Sequence, residues 1–422
     1  MLDQTFSAQN LMGLMIRTDP GKYKLGRTRG HYLRTMEDLS SEIHNTNFEF
    51  GNFSNAIRSG KTVYSTTSSK DEFVIRKLND NIRRLYNVRQ ANRAEIMSQL
   101  KLLLEEKIPF FAIKVDIKDF YESVPRKKLV KRICEESMLS YRGKELLKKL
   151  LLNSTRFTGN GLPRGISISA TLSELNMQEF DKKVRATEGV YYFARYVDDI
   201  IILSYSDADI VVRKIKEALY PDMVLNEEKT ETIAINEKGN CTYYNPKPEI
   251  SYLGYKFQFR LQSDVPTNTG TKGQPSVTQP PRINIKIADG KVAKLKKRII
   301  LSLLSYTHDK NYPLLLSRIK FLSGNCRMHR KGETGELLSG IFYNYPLIDE
   351  SGQKELKLIS KFLRSSVFSK NGNFGKKING DLSAAQKEEL AKLCFYAGHS
   401  KKITQSISAK RLQQIKKCWN HV

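Results

Sequence analysis

Apolar residues are distributed along the chain in two rhythms. Short unbroken runs bounded by polar turns read as buried strands at Phe110–Val115, Val190–Phe193 and Ile200–Leu203. Shorter strands are expected at Thr232–Ile235 and Tyr252–Phe257, the second interrupted by Gly254 as a bulge or close contact. Repeats at three- and four-residue spacing read as helices over Gln90–Glu106, Arg126–Ser137, Tyr141–Leu151 and Asp207–Tyr220, and from a Gly-Pro turn to Arg185. Two more follow at Lys291–Tyr306, with Val292, Leu295, Ile299 and Leu303 on one stripe, and Pro313–Leu322. A basic hairpin is expected at Glu72–Val88, folding back at Asn79-Asp80-Asn81. Residues 1–70 are mixed and polar and predict little. From Gln262 to Pro281 the chain is rich in Pro, Gly, Thr, Ser and Gln and reads as a linker; beyond it basic helical patterns dominate.

One stretch breaks the apolar logic. Asp198 and Asp199 lie between Val190–Phe193 and Ile200–Leu203, with room only for a tight turn. Paired carboxylates at the tip of a hydrophobic hairpin cost repulsion and desolvation. The plain explanation is a solvated turn; the functional one is a divalent cation, since hard cations prefer carboxylate oxygens. A third acid, Asp116, ends the strand that starts at Phe110. Between the acidic strands runs Gly161-Leu162-Pro163-Arg164-Gly165, with Ser167 and Ser169 placed to cap the following helix. If the acidic strands lie side by side in a split βαβ sheet, the three carboxylates meet at one edge, where two divalent ions could serve in-line phosphoryl transfer.

Charge supplies the partner. The chain of 422 residues carries a formal net charge of +27, a surplus that favours a polyanion. Nucleic acid leads and an anionic membrane surface follows, because no strongly amphipathic basic terminus is present. No apolar run approaches a membrane span and no leader pattern opens the chain, so a cytoplasmic protein is expected. Five scattered cysteines without a CxxC pair read as reduced thiols, and the histidines complete no zinc pattern.

The ordered motifs resemble the reverse transcriptase family over roughly residues 70–330. Asp116 with Phe120-Tyr121 is similar to its first catalytic motif, Gly161–Gly165 to its template-positioning motif, and Tyr196-Val197-Asp198-Asp199 to its metal-binding motif. Lys229 falls at a further motif lysine and Leu253-Gly254 at the primer-grip hairpin. The resemblance implies an α+β right-hand polymerase: fingers and ferredoxin-like palm over residues 71–262, a linker at 263–284, a helical thumb at 285–332 and a helical extension at 333–422, after an N-terminal extension, 1–70.

Carried onto this sequence, the resemblance implies that Asp116, Asp198 and Asp199, with Ile117, hold two Mg²⁺ ions, with Mn²⁺ as an alternative. Tyr121 would select deoxynucleotides by clashing with a 2′-hydroxyl; Lys77 and Arg83 would grip the triphosphate; Lys229 would protonate or position pyrophosphate. Gly161, Pro163, Gly165, Leu253 and Gly254 would handle template and primer. Arg164 stands where the family usually has glutamine, adding a planar charged fork beside the nucleotide or template. The implied activity is RNA-directed DNA synthesis from dNTPs. With no ribonuclease H or Val-Thr-Gly signature, the chain is most similar to bacterial antiphage or abortive-infection enzymes outside the retrons. Such an enzyme would work with a non-coding RNA and a second reverse transcriptase or another copy of itself. Protein-primed or untemplated synthesis, and an RNA-binding scaffold without catalysis, are the alternatives.

Overall fold

A computed structural model describes residues 2–58, 60–106, 108–153, 156–264, 283–329 and 336–419. The chain divides into one unit of Met1–Ile96 with Phe110–Thr230 and another of Met97–Pro109 with Glu231–Val422.

In the first unit, strand β3 (Phe110–Asp116) and strand β4 (Val190–Tyr196) flank strand β5 (Asp199–Ser204), both antiparallel to it. Ile200 to Leu203 are all essentially solvent-free, as a central strand buried on both faces requires. A helix over Ser167–Arg185 packs against β4 and buries Ile168, Leu172, Leu175, Phe180 and Val184. The sequence expects Ser167 and Ser169 to cap it, but Ile166 occupies the cap position and makes no side-chain bond there. Ser169 Oγ instead donates to the Pro163 carbonyl at 2.7 Å.

The basic hairpin expected at Glu72–Val88 is one helix, Ser69–Leu85. Phe73, Val74, Lys77, Leu78, Asn81 and Ile82 form its buried stripe, a helical period that overrides the Asn-Asp-Asn turn signal. Its ends agree: Ser68 caps the start, Asp71 and Glu72 lie in the first turn, and Arg83 and Arg84 in the last. A hairpin does exist, but earlier, as β1 (Phe53–Arg58) and β2 (Lys61–Thr66). Both strands are largely exposed or half-buried, so little hydrophobic alternation marks them. Helices at Ala8–Gly13 and Arg29–His44 place Leu11, Met36, Leu39 and Ile43 in the same core. The helices expected near 90–106, 126–137, 141–151 and 207–220 form at Arg93–Leu104, Arg126–Glu135, Tyr141–Leu151 and Ala208–Ala218.

The second unit opens with a hairpin of β6 (Glu231–Ile235) and β7 (Cys241–Asn245). The strand expected at Tyr252–Phe257 is two strands, β8 (Glu249–Tyr252) and β9 (Tyr255–Phe259), reversing at Leu253-Gly254, and β10 (Ile283–Ile287) joins β9. Both turn residues have positive φ, 46° and 87°. Residues 265–282, nearly all of the expected linker, lie outside the described residues. Helices Asp289–Asp309 and Tyr312–Ser323 follow, and a helix over Glu350–Phe368 packs on β10. The C-terminal part, expected to be helical, also contains a sheet: β11 (Asn325–His329) pairs with β12 (Glu336–Gly340) and, in parallel, with β13 (Thr404–Ser406). These strands are short and polar, so sequence spacing does not announce them. All five cysteines are unbridged, and among the described residues no helix is long and apolar enough to cross a membrane.

Candidate active site

The register of β3 on β5 sets Asp116 directly opposite Asp199, so both side chains leave the same face. Beside them the Ile117 N–H donates to the Asp198 carbonyl at 3.1 Å. Val197, in the turn before Asp198, has φ 61°, a conformation that β-branched residues avoid. Arg195 holds that turn in place. Its guanidinium is nearly solvent-free, forks onto Glu174 (3.1 and 2.7 Å) and Asp181 (2.8 and 2.9 Å), and donates to the Val197 carbonyl at 3.1 Å. The acidic tip is thereby anchored to the helix Ser167–Arg185.

Burial, more than mutual repulsion, raises the proton affinity of Asp198 and Asp199. Burial pushes Asp199 up to about 6; Lys114 opposes the rise, while Asp198 and Asp116 add to it. Burial also raises Asp198, relieved by a backbone hydrogen bond and reinforced by Asp116. Two ammonium groups face this charge. Lys114 Nζ lies 3.9 Å from Asp199 and donates to the Lys229 carbonyl at 3.1 Å. Lys229 Nζ donates to Asp116 Oδ1 at 2.9 Å, a bond that raises its own pKa. Asn226 braces the same acid, its backbone N–H on the Asp116 carbonyl at 2.7 Å.

Among the described residues, no group of three or more acidic, His or Cys side chains is already arranged to hold a metal ion. The donor set still fits a hard cation: it offers carboxylate oxygens only, and Lys229 Nζ sits on Asp116 as a cation would.

The Gly-Pro loop is clipped to this edge on both sides. The Leu162 N–H donates to the Tyr121 carbonyl at 2.7 Å, and a Cβ on Gly161 would come within 2.3 Å of the Glu122 carbonyl oxygen. The Tyr64 N–H, from β2, donates to the Arg164 carbonyl at 2.7 Å. Gly165, at φ 90°, lies so close to Tyr64 that an added Cβ would come within 2.2 Å of its carbonyl. Arg164 forks onto Glu122 at 2.6 and 2.8 Å and lies 5.1 Å from the centre of the Tyr121 ring. Burial works against charge on Glu122, but the Arg164 bond prevails and holds its carboxyl below the usual range. Burial raises the pKa of the Tyr121 hydroxyl; the nearby Ser173 hydroxyl works against the rise and the charge of Asp198 adds to it. Lys61, on β2, is paired with Asp119.

The structure thus gathers Asp116, Ile117, Asp198, Asp199 and Lys229, with Tyr121 and Arg164 coupled to them electrostatically and Gly161, Pro163 and Gly165 shaping the loop. It does not bring in Lys77 and Arg83 as expected. Lys77 is buried and its ammonium donates to the Asp3 carbonyl at 2.8 Å; Arg83 is exposed and paired with Asp80. Both face away because their segment is a helix. Leu253 and Gly254 belong to the second unit, at the β8–β9 turn. Sequence reasoning missed Lys114, Glu122, Arg195 and Asn226. Lys114 had a signal: it is the one charge within Phe110–Val115 and, two positions before Asp116, shares its face.

Clustered carboxylates at a sheet edge, beside a loop shaped by close backbone approach, are the class of centre used for phosphoryl transfer. Residues 66–257 match the family model for reverse transcriptase (RNA-dependent DNA polymerase). Among solved structures, apo telomerase from Candida tropicalis truncated from its C-terminal domain is similar at a TM-score of 0.36 and 14% identity, over 53% of this chain. The chain spans 58% of that structure's length. No curated protein matches the sequence.

Proposed function

We propose that the chain is an RNA-directed DNA polymerase that extends a primer with dNTPs. The observation that carries this reading is the juxtaposition of Asp116, Asp198 and Asp199 on one edge, inside the matched domain, beside Tyr121 and Arg164. In this reading residues 71–262 are fingers and palm, 285–332 a helical thumb and 333–422 an extension.

Asp116, Asp198 and Asp199, with Ile117, would hold two divalent cations, Mg²⁺ first and Mn²⁺ second. When bound, they supply charge neutralisation for the attacking hydroxyl and the departing pyrophosphate. Lys229, exchanged off Asp116, positions or protonates that pyrophosphate. The Tyr121 ring lies under the incoming sugar and excludes a 2′-hydroxyl. Arg164, held in orientation by Glu122, contacts the nucleotide or template. Lys61, on the β1–β2 hairpin, takes the triphosphate-gripping place that sequence reasoning gave to Lys77 and Arg83.

The narrower placement, in bacterial antiphage defence with a non-coding RNA and a second polymerase or another copy of the chain, rests on motif resemblance. Sequencing nucleic acid that copurifies with the protein tests it.

Purified protein given an annealed DNA primer on RNA, dNTPs and Mg²⁺ should extend the primer. Replacing Asp198 and Asp199 together by Ala should reduce extension by about 10³-fold or more. Equal extension by the variant overturns the catalytic assignment. Products matching no supplied RNA, or attached to protein, convert the reading to untemplated or protein-primed synthesis. Tight RNA binding without any extension leaves a scaffold.

A further inference from the structure

Away from the carboxylates, the second unit encloses a cavity of about 430 Å³. Its walls come from the helices Asp289–Asp309 and Tyr312–Ser323, from β12 and from the last helix, Ala409–Lys417, with the residues just after it. Lys291, Lys294 and Arg298 recur at three- and four-residue spacing and so line one face of the first helix; Lys416 joins them from the last. Among the described residues, no acidic side chain lines the cavity. Four cations converging without a carboxylate is the reverse of a solvated mixed-charge surface.

The remaining wall sets the aromatic rings of Phe321, Tyr345 and Trp419 among the aliphatic Leu295, Leu322 and Ile341. Trp419 is almost fully buried, and its indole N–H donates to the Arg298 carbonyl at 3.2 Å and to Ser302 Oγ at 3.1 Å. Its ring has the Arg298 guanidinium 5.3 Å away and Phe321 at 5.9 Å between centroids. Arg298 Nε is buried without a hydrogen-bond partner among the described residues. Burial lowers the proton affinity of Lys294, and repulsion from Arg298, Lys291 and Lys297 lowers it further. Charges held together against their own repulsion, beside an unmet donor, make a receptor for an anion.

The charge count selects the anion. A carboxylate or an internal phosphodiester brings one negative charge, whereas a phosphate monoester brings nearly two near neutral pH and three acceptor oxygens. The volume lies within the range of small-ligand sites, and the Trp419–Phe321 wall suits a flat base. We propose that this cavity binds a nucleotide 5′-monophosphate, Lys291, Lys294, Arg298 and Lys416 holding the phosphate and the aromatic wall the base. The nucleotide can be free or the 5′ end of a strand; both present the same group.

Trp419 is the only tryptophan of the chain, so its emission reports from the cavity itself. The full-length protein, in EDTA so that no cation loads the carboxylates, is titrated with four probes: adenosine 5′-monophosphate, adenosine, and a short RNA bearing either a 5′-phosphate or a 5′-hydroxyl. A saturable change in Trp419 emission is expected with a 5′-phosphorylated probe, with the unphosphorylated counterpart weaker by about tenfold or more. A response to the mononucleotide alone assigns a free nucleotide, and one to the phosphorylated RNA alone assigns a strand end. Lys294→Ala and the surface change Lys416→Glu should each weaken binding by about tenfold, and Arg298→Ala by more. The Asp198→Ala, Asp199→Ala protein should bind as the wild type does, which separates this site from the polymerase reading. No saturable response to either monoester, equal binding of the hydroxyl-ended RNA, or wild-type affinity in both lysine variants overturns the proposal.

Discussion

Asp199 is a carboxylate whose surroundings raise its affinity for a proton. Its pKa in the fold, about 6, lies above the ordinary value, with burial the largest cause. The native state therefore holds the proton more tightly than the unfolded chain. The resulting stability is present below the ordinary carboxylate pKa and lost as pH rises through about 6. In EDTA, wild-type protein should lose more thermal stability across that window than Asp199→Asn does. At pH 8 the variant should unfold higher by on the order of 2 °C, measured by calorimetry. A wild-type curve parallel to the variant's across the window would refute it. Tyr121 gives a second residue-scale test. Tyr121→Ala should let ribonucleotides compete, measured as the ratio of rNTP to dNTP incorporation; an unchanged ratio removes it from sugar selection. Both residues were legible in the sequence because each stands in a short ordered motif. Their supports were not: Glu122, Asn226 and Arg195 are charged or polar residues whose partners lie far along the chain, and nothing local distinguishes them.

At the scale of elements, strands β3 and β5 were readable because four consecutive apolar residues in each, Phe110–Ile113 and Ile200–Leu203, leave little else to form. The β1–β2 hairpin was not, since its strands are largely exposed or half-buried and its docking uses backbone groups, Tyr64 to Arg164, that carry no sequence signature. The helix Ser69–Leu85 was misread because Asn79-Asp80-Asn81 imitates a turn. Asn81 in fact donates to the Gln4 carbonyl from within the helix. Here tertiary contacts decided against local propensity. The hairpin β4–β5 depends in turn on Arg195, which bridges it to Glu174 and Asp181. Arg195→Ala leaves two half-buried carboxylates unpaired and should cost about 3 kcal/mol in urea denaturation. Arg195→Lys keeps the charge but loses the fork and should recover only part of that stability. Wild-type stability in the alanine variant would mean that the turn is held otherwise.

For the whole molecule, the surplus of +27 would govern binding of the nucleic acid that the proposed function requires. Binding that neutralises phosphates releases counterions, so affinity should fall by about 10³-fold or more between roughly 50 and 200 mM salt, read by fluorescence anisotropy on an RNA–DNA duplex. A flat response would assign the charge to solubility instead. Net charge was legible from composition alone; its concentration around the cavity beside Trp419 was not, because the last helix brings Lys416 to residues more than a hundred positions earlier.

Lys229 on Asp116 has a consequence for how the edge comes into being. A nascent chain in which three carboxylates had to meet unaided would fold against its own charge and wait for metal. With an ammonium from the turn after Asn226 already seated on Asp116, and Lys114 buried beside Asp199, the strands carry their own counterions into the sheet. Assembly of the edge is thereby uncoupled from cation supply: the pleat can close with no metal ion present.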